Sequence, residues 1–175
     1  MSGDSGTTRS LTPGEVRLAG RVFGTAIDLG AVTVRHAKFW AFHPWWVTMA
    51  PDGHIWCHPN GFNWRADYAA EPLGMQAHFI HEMVHVWQRQ QGINLVLKRP
   101  PLARYRYDLV PGKPFGRYGL EQQACIVADA FLLAEGRAVS GRSLGDYEGL
   151  LPFNGGLGPQ APAAGGPSNA AARAP

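Results

Sequence analysis

Only two cysteines, Cys57 and Cys125, occur among 175 residues. So few thiols exclude a disulfide-rich scaffold, and a chain of this length can bury a core without covalent staples, so both are expected to be free. Long apolar runs are missing too. No stretch approaches the length needed to cross a bilayer, which argues against membrane insertion, and Met1-Ser2-Gly3-Asp4-Ser5 lacks the apolar segment of a cleaved signal. The expectation is a protein that is cytoplasmic as synthesised. Charge is also sparse. With 17% charged residues, a net charge of +3 and basic residues scattered apart from Lys98-Arg99 and the Arg104/Arg106 pair, no nucleic-acid partner is expected. What remains is 45% hydrophobic and 11% aromatic content, enough for one folded domain.

The stretch that carries chemistry is Phe79-Ile80-His81-Glu82-Met83-Val84-His85-Val86-Trp87, an H-E-x-x-H pattern in an apolar frame. From Leu73 to Gln91 there is no proline, Pro72 suits a helix start and Gly92 a helix stop, and Ile80, Met83, Val84 and Trp87 recur at three- and four-residue intervals. On such a helix His81 and His85 share a face, one turn apart, as two ligands of one tetrahedral Zn²⁺ require. Glu82 then stands beside the metal, where it can act as general base toward a metal-activated water. Burying two histidines and a carboxylate together is costly unless something pairs them.

Around this helix the sequence reads α+β. Thr12-Pro13-Gly14-Glu15 is a capping box opening a helix that ends at Gly24. Between Ile27 and Asn63 short β-like runs, Val32 to Arg35, Trp45 to Met49 and His54 to His58, predict a small sheet of about three strands. His43, His54 and His58 lie in this region, and satisfied polar or surface roles are expected for them. Tyr118 to Glu135 is a second strong helix, and Leu150-Leu151-Pro152-Phe153 is expected to pack back on the domain. Composition marks residues 1–10 as a flexible lead, with order beginning at Thr12, and the Gly/Ala/Pro-rich residues 154–175 as a disordered tail.

A catalytic zinc site needs a third protein ligand. Glu121, in the first turn of the second helix, is the favoured candidate; its other reading is a carboxylate that complements the helix dipole. His78 and Cys125 are the rivals. A His/His/Glu/Cys set would close the coordination sphere and make the metal structural, as in a non-catalytic zinc-containing binding or adaptor module.

His81-Glu82-x-x-His85 with a later helical Glu121 resembles the gluzincin class of zinc metallopeptidases. More narrowly, Leu11-Thr12-Pro13-Gly14-Glu15, Val22-Phe23-Gly24, Arg104-Tyr105-Arg106-Tyr107 and Tyr118-Gly119-Leu120-Glu121-Gln122-Gln123-Ala124 resemble bacterial Vgr-related proteins. Those look like small zincin-like domains found beside contractile-injection and type VI secretion components, and the resemblance covers residues 11–153. It implies an α+β zincin-like fold, Zn²⁺ held by His81, His85 and Glu121, Glu82 as catalytic base, and a peptide or protein substrate. It also implies a secretion-apparatus partner and export by a contractile system. Many gluzincins carry an acidic residue four positions after the glutamate ligand to orient a histidine. Cys125 stands there instead, leaving Asp129 or a backbone carbonyl for that task. The resemblance further assigns substrate-backbone binding to Gly53 to His58, and Arg104, Tyr105, Tyr107 and Tyr118 are candidate oxyanion stabilisers.

Overall fold

The computed structural model describes residues 6–98, 104–155 and 157. Helix α1 (Pro13–Phe23) starts on the anticipated capping box: the Thr12 hydroxyl accepts from the Glu15 amide, and the Glu15 carboxylate accepts from the Thr12 amide. Glu15 does more than cap. Its fully buried carboxylate also accepts two 2.7 Å bonds from the Arg9 guanidinium and one of 2.8 Å from the Tyr68 amide. A buried carboxylate with that many donors ties three segments together.

Strand β1 (Thr8–Ser10) pairs antiparallel with β2 (Thr33–His36). Order therefore begins before Thr12, inside the segment expected to be a flexible lead, because Arg9 is drawn to buried Glu15 and its backbone completes a ladder. Strands β3 (Thr48–Met49) and β4 (Ile55–Cys57) finish a four-stranded sheet of order β1-β2-β4-β3. The β2/β4 pair is parallel and the others are antiparallel, so β3 forms an outer edge while β4 is flanked on both sides. One more strand is present than the β-branched runs predicted.

Helix α2 (Leu73–Gln90) buries Ile80, Met83, Val84 and Val86, each worth roughly 1.5–3 kcal/mol of transfer free energy. Gly92, at φ +82°, adopts the left-handed conformation just beyond its end. A short helix α3 (Leu95–Lys98) follows. Helix α4 (Leu120–Ala134) packs along α2 through a face that includes the buried residues Ala124, Val127, Ala130 and Phe131. Phe153 packs against Phe23, Trp87 and Phe115, as expected for the 150–153 segment. Asn154, at the start of the anticipated tail, bonds back to Thr25, and most of that tail lies outside the described residues. Among the described residues no helix is long and apolar enough to cross a membrane.

Candidate metal centre

The packing of α2 on α4 brings His81, His85 and Glu121 together. Glu121 Oε2 lies 3.2 Å from Nε2 of His81 and 3.2 Å from Nε2 of His85. One ligand atom from each residue lies within 4.8 Å of the others, and among the described residues this is the one His/Cys/Asp/Glu group so arranged. For bonds of about 2.0 Å, adjacent corners of a tetrahedron are about 3.3 Å apart, so the two 3.2 Å edges suit a zinc-sized cation. Glu121 and His85 are buried and His81 is partly exposed, which leaves one open side. The residues present therefore fit a metal ion.

Protonation makes the same point. His85 Nδ1 lies 2.9 Å from the Gln88 Oε1 acceptor, so Nδ1 carries the hydrogen and the Nε2 lone pair faces Glu121. The Gln88 amide is itself fixed, since its Nε2 donates to the Leu120 carbonyl at 3.1 Å and to Gln123 Oε1 at 2.9 Å. A lone pair and a carboxylate oxygen 3.2 Å apart require a positive charge between them, as a proton or as a metal. Burial by itself would depress the His85 imidazole, but the Glu121 hydrogen bond, the charges of Glu82 and Glu121 and the Gln88 contact together hold its pKa above the ordinary value.

Glu82 is buried, and its Oε2 has no hydrogen-bond partner. An unpaired buried carboxylate oxygen is costly unless a ligand completes it. Together with His78, His81, His85, Tyr105 and Glu121 it lines a cleft of about 370 Å³ whose other wall is Trp46, Val47, Thr48 and Asn63.

The rival ligands do not join the group. His78 Nε2 is bonded to the Thr48 hydroxyl at 3.1 Å, and burial lowers its pKa. Cys125 Sγ lies 4.0 Å from Nδ1 of His81, on the opposite ring nitrogen from the one facing Glu121, and burial pushes its thiol up to about 12. Asp129 accepts from Tyr107 and Arg142 instead of orienting a ligand histidine. That task falls for His85 to Gln88, which sequence reasoning passed over although it sits three residues on, over the same helical face. Of the four candidate oxyanion stabilisers, Tyr105 reaches the cleft, its ring roughly parallel to that of His81. Tyr107 is engaged with Asp129 and Tyr147, the Tyr118 hydroxyl accepts from the Val110 amide, and Arg104 does not line the cleft. Strand β4 cannot add a substrate strand, because β2 and β3 occupy both its edges. Edge strand β3, whose Thr48 lines the cleft, is paired on one side only among the described residues.

No protein-family model matches the sequence. A similar solved structure is the effector domain of Pseudomonas aeruginosa VgrG2b, with 38% identity, a TM-score of 0.65, and coverage of 75% of this chain and 77% of that one. The chain belongs to the family of the VgrG2b effector domain. The type VI secretion system spike protein VgrG2b of the same organism is 40% identical over 137 residues, which cover 74% of this chain and 13% of the spike protein. This member of the VgrG2b effector family thus corresponds to a small part of that protein, and its helices carry a candidate His/His/Glu metal site.

Proposed function

We propose that this domain is a zinc-dependent peptidase of the gluzincin type that acts as an effector carried by, or delivered with, a type VI secretion spike. The unpartnered, buried Glu82 Oε2 in the same cleft as His81, His85 and Glu121 carries the reading, because a purely structural metal site needs the three ligands but has no use for a second buried carboxylate. When bound there, Zn²⁺ lowers the pKa of water toward about 7 and polarises a carbonyl oxygen. Glu82 takes the proton of the attacking water and returns it to the leaving amine. Gln88 holds His85 in the tautomer that offers Nε2 to the metal, and the free edge of β3 aligns an extended peptide beside the cleft. Tyr105, which lines the same cleft, is assigned as donor to the oxyanion that develops on the carbonyl.

The test compares Glu82→Gln with His81→Ala, scoring hydrolysis of a mixed peptide library and metal content. Glu82→Gln is expected to lower hydrolysis by at least about a hundredfold with zinc retained, whereas His81→Ala loses both. Equal effects of the two on metal content would contradict the roles assigned. Full hydrolysis by Glu82→Gln would remove the base.

A further inference from the structure

Five of the large hydrophobic side chains that remain exposed come from one part of the chain: Trp40, Phe42, Trp45, Trp46 and Phe62. Three of them form a connected group. The Trp45 ring meets that of Trp46 edge-on at 5.5 Å and that of Phe62 at 5.8 Å, yet the three remain 49%, 59% and 63% exposed. Burying these rings internally would be favourable, so their exposure must be enforced by the frame that holds them.

That frame is built from buried, fully engaged groups. His43 is buried and spans the loop, its Nδ1 accepting from the Phe39 amide and its Nε2 donating to the Val47 carbonyl at 2.8 Å. The second loop is pinned by Arg65, which donates to the Phe62 and Trp64 carbonyls and pairs with Glu71 at 3.0 Å. Gly61 seals the join: a Cβ there would lie 2.3 Å from the Trp45 carbonyl oxygen, so no other residue lets the two loops close. Asn63 Nδ2 donates to the Trp46 carbonyl at 3.4 Å. The rings are thus presented by a preorganised scaffold, which spares a ligand the cost of ordering them.

The group is also continuous with the metal cleft. Trp46 and Asn63 line that cleft, and Trp46 lies two residues before the edge strand β3. A peptide laid along β3 advances about 3.4 Å per residue, and Trp46 lines the cleft itself, so a side chain next to the reacting carbonyl is carried toward that ring. Resting on the peptidase reading above, we infer that Trp45, Trp46 and Phe62 form a subsite for a bulky apolar side chain of the substrate. The substrate class is then an extended peptide with an aromatic or large aliphatic residue close to the scissile bond. A membrane surface would need no link to the cleft, and the link is what the structure has.

The experiment uses the zinc-loaded full chain and two matched sets of quenched peptides, one with Phe, Trp or Leu near the cleavage point and one with Gly or Ser there. The apolar set should be cleaved about tenfold or more faster in kcat/KM. Trp46→Ala and the double variant Trp45→Ala/Phe62→Ala should erase that preference by raising KM for the apolar set, with the metal content retained. Trp46→Phe and Phe62→Leu, which keep apolar bulk, should retain most of it. Cleavage without preference, or a preference that survives removal of the rings, overturns the inference. If wild type cleaves neither set, the peptidase reading fails, and the subsite is judged separately by fluorescence titration of Glu82→Gln. Binding of the apolar peptides that is lost with Trp46→Ala supports it. Binding only to anionic vesicles or to peptidoglycan glycan fragments, or no binding, overturns it.

Discussion

Two histidine groups stand in this chain, and they differ in what faces their ring nitrogens. In the first, His81 and His85 direct Nε2 at one carboxylate oxygen of Glu121, with Glu82 in the same cleft. In the second, His43 and His58 meet edge-on at 5.5 Å; both ring nitrogens of His43 are spent on the Phe39 amide and the Val47 carbonyl, and Nδ1 of His58 on the Asn60 amide. Burial, Lys38, His43 and His36 all act on His58 in the direction that disfavours its protonation. Both groups are largely buried. Histidines close together therefore do not make a metal site; convergent lone pairs with an anionic partner and no backbone claim on them do.

The largest break in this comparison should come from Gln88. Gln88→Ala removes the acceptor that fixes the His85 tautomer and leaves the imidazole free to turn, and zinc affinity should fall about 10- to 100-fold by competition with a chromophoric chelator. Unchanged affinity would show that the convergence of the three ligands needs no outer support. Removing a histidine from the second group should do the reverse. His43→Ala strands the Phe39 amide and the Val47 carbonyl, costing about 1–3 kcal/mol in a denaturant melt while leaving zinc stoichiometry unchanged.

The smallest effect is in pH, and the two groups should have opposite signs. In the metal-free protein the His85 pKa is raised, so its contribution to stability is complete below about pH 6.5 and is lost as pH rises through the higher folded-state value. His58 is lowered by burial and by Lys38 and its histidine neighbours, so its contribution is present above about pH 6.5 and is lost as pH falls through the lower folded-state value. Zinc requires His85 without its proton on Nε2, so the gain in melting temperature on adding zinc should grow across that window as pH rises. Melts with and without zinc at several pH values check this, and a gain independent of pH would contradict it.

The local code was legible wherever the signal is short-range. The capping box at Thr12 to Glu15, the α2 helix and the α4 helix follow from periodicity and end signals, and with them the prospect that His81 and His85 share a face. Long-range facts were harder. Strand β1 depends on Arg9 finding Glu15 and on a partner strand far along the chain, neither of which a polar Gly/Ser/Thr-rich stretch announces. Sheet order likewise decides which strand has a free edge, and that moved the expected peptide-binding strand from β4 to β3. Gln88 could have been seen in the sequence as the residue one turn beyond His85; a neutral amide simply carries less signal than the acidic residue that Cys125 replaces.

The proposed activity requires that α2 and α4 together hold one zinc ion through His81, His85 and Glu121. The direct measurement is elemental analysis of purified protein, reconstituted with zinc and freed of excess metal, with Glu121→Ala prepared in parallel. About one zinc per chain is expected in the wild type and its loss in the variant, with the helical content of both unchanged. A wild type that retains no zinc, or zinc retained equally by Glu121→Ala, would contradict it.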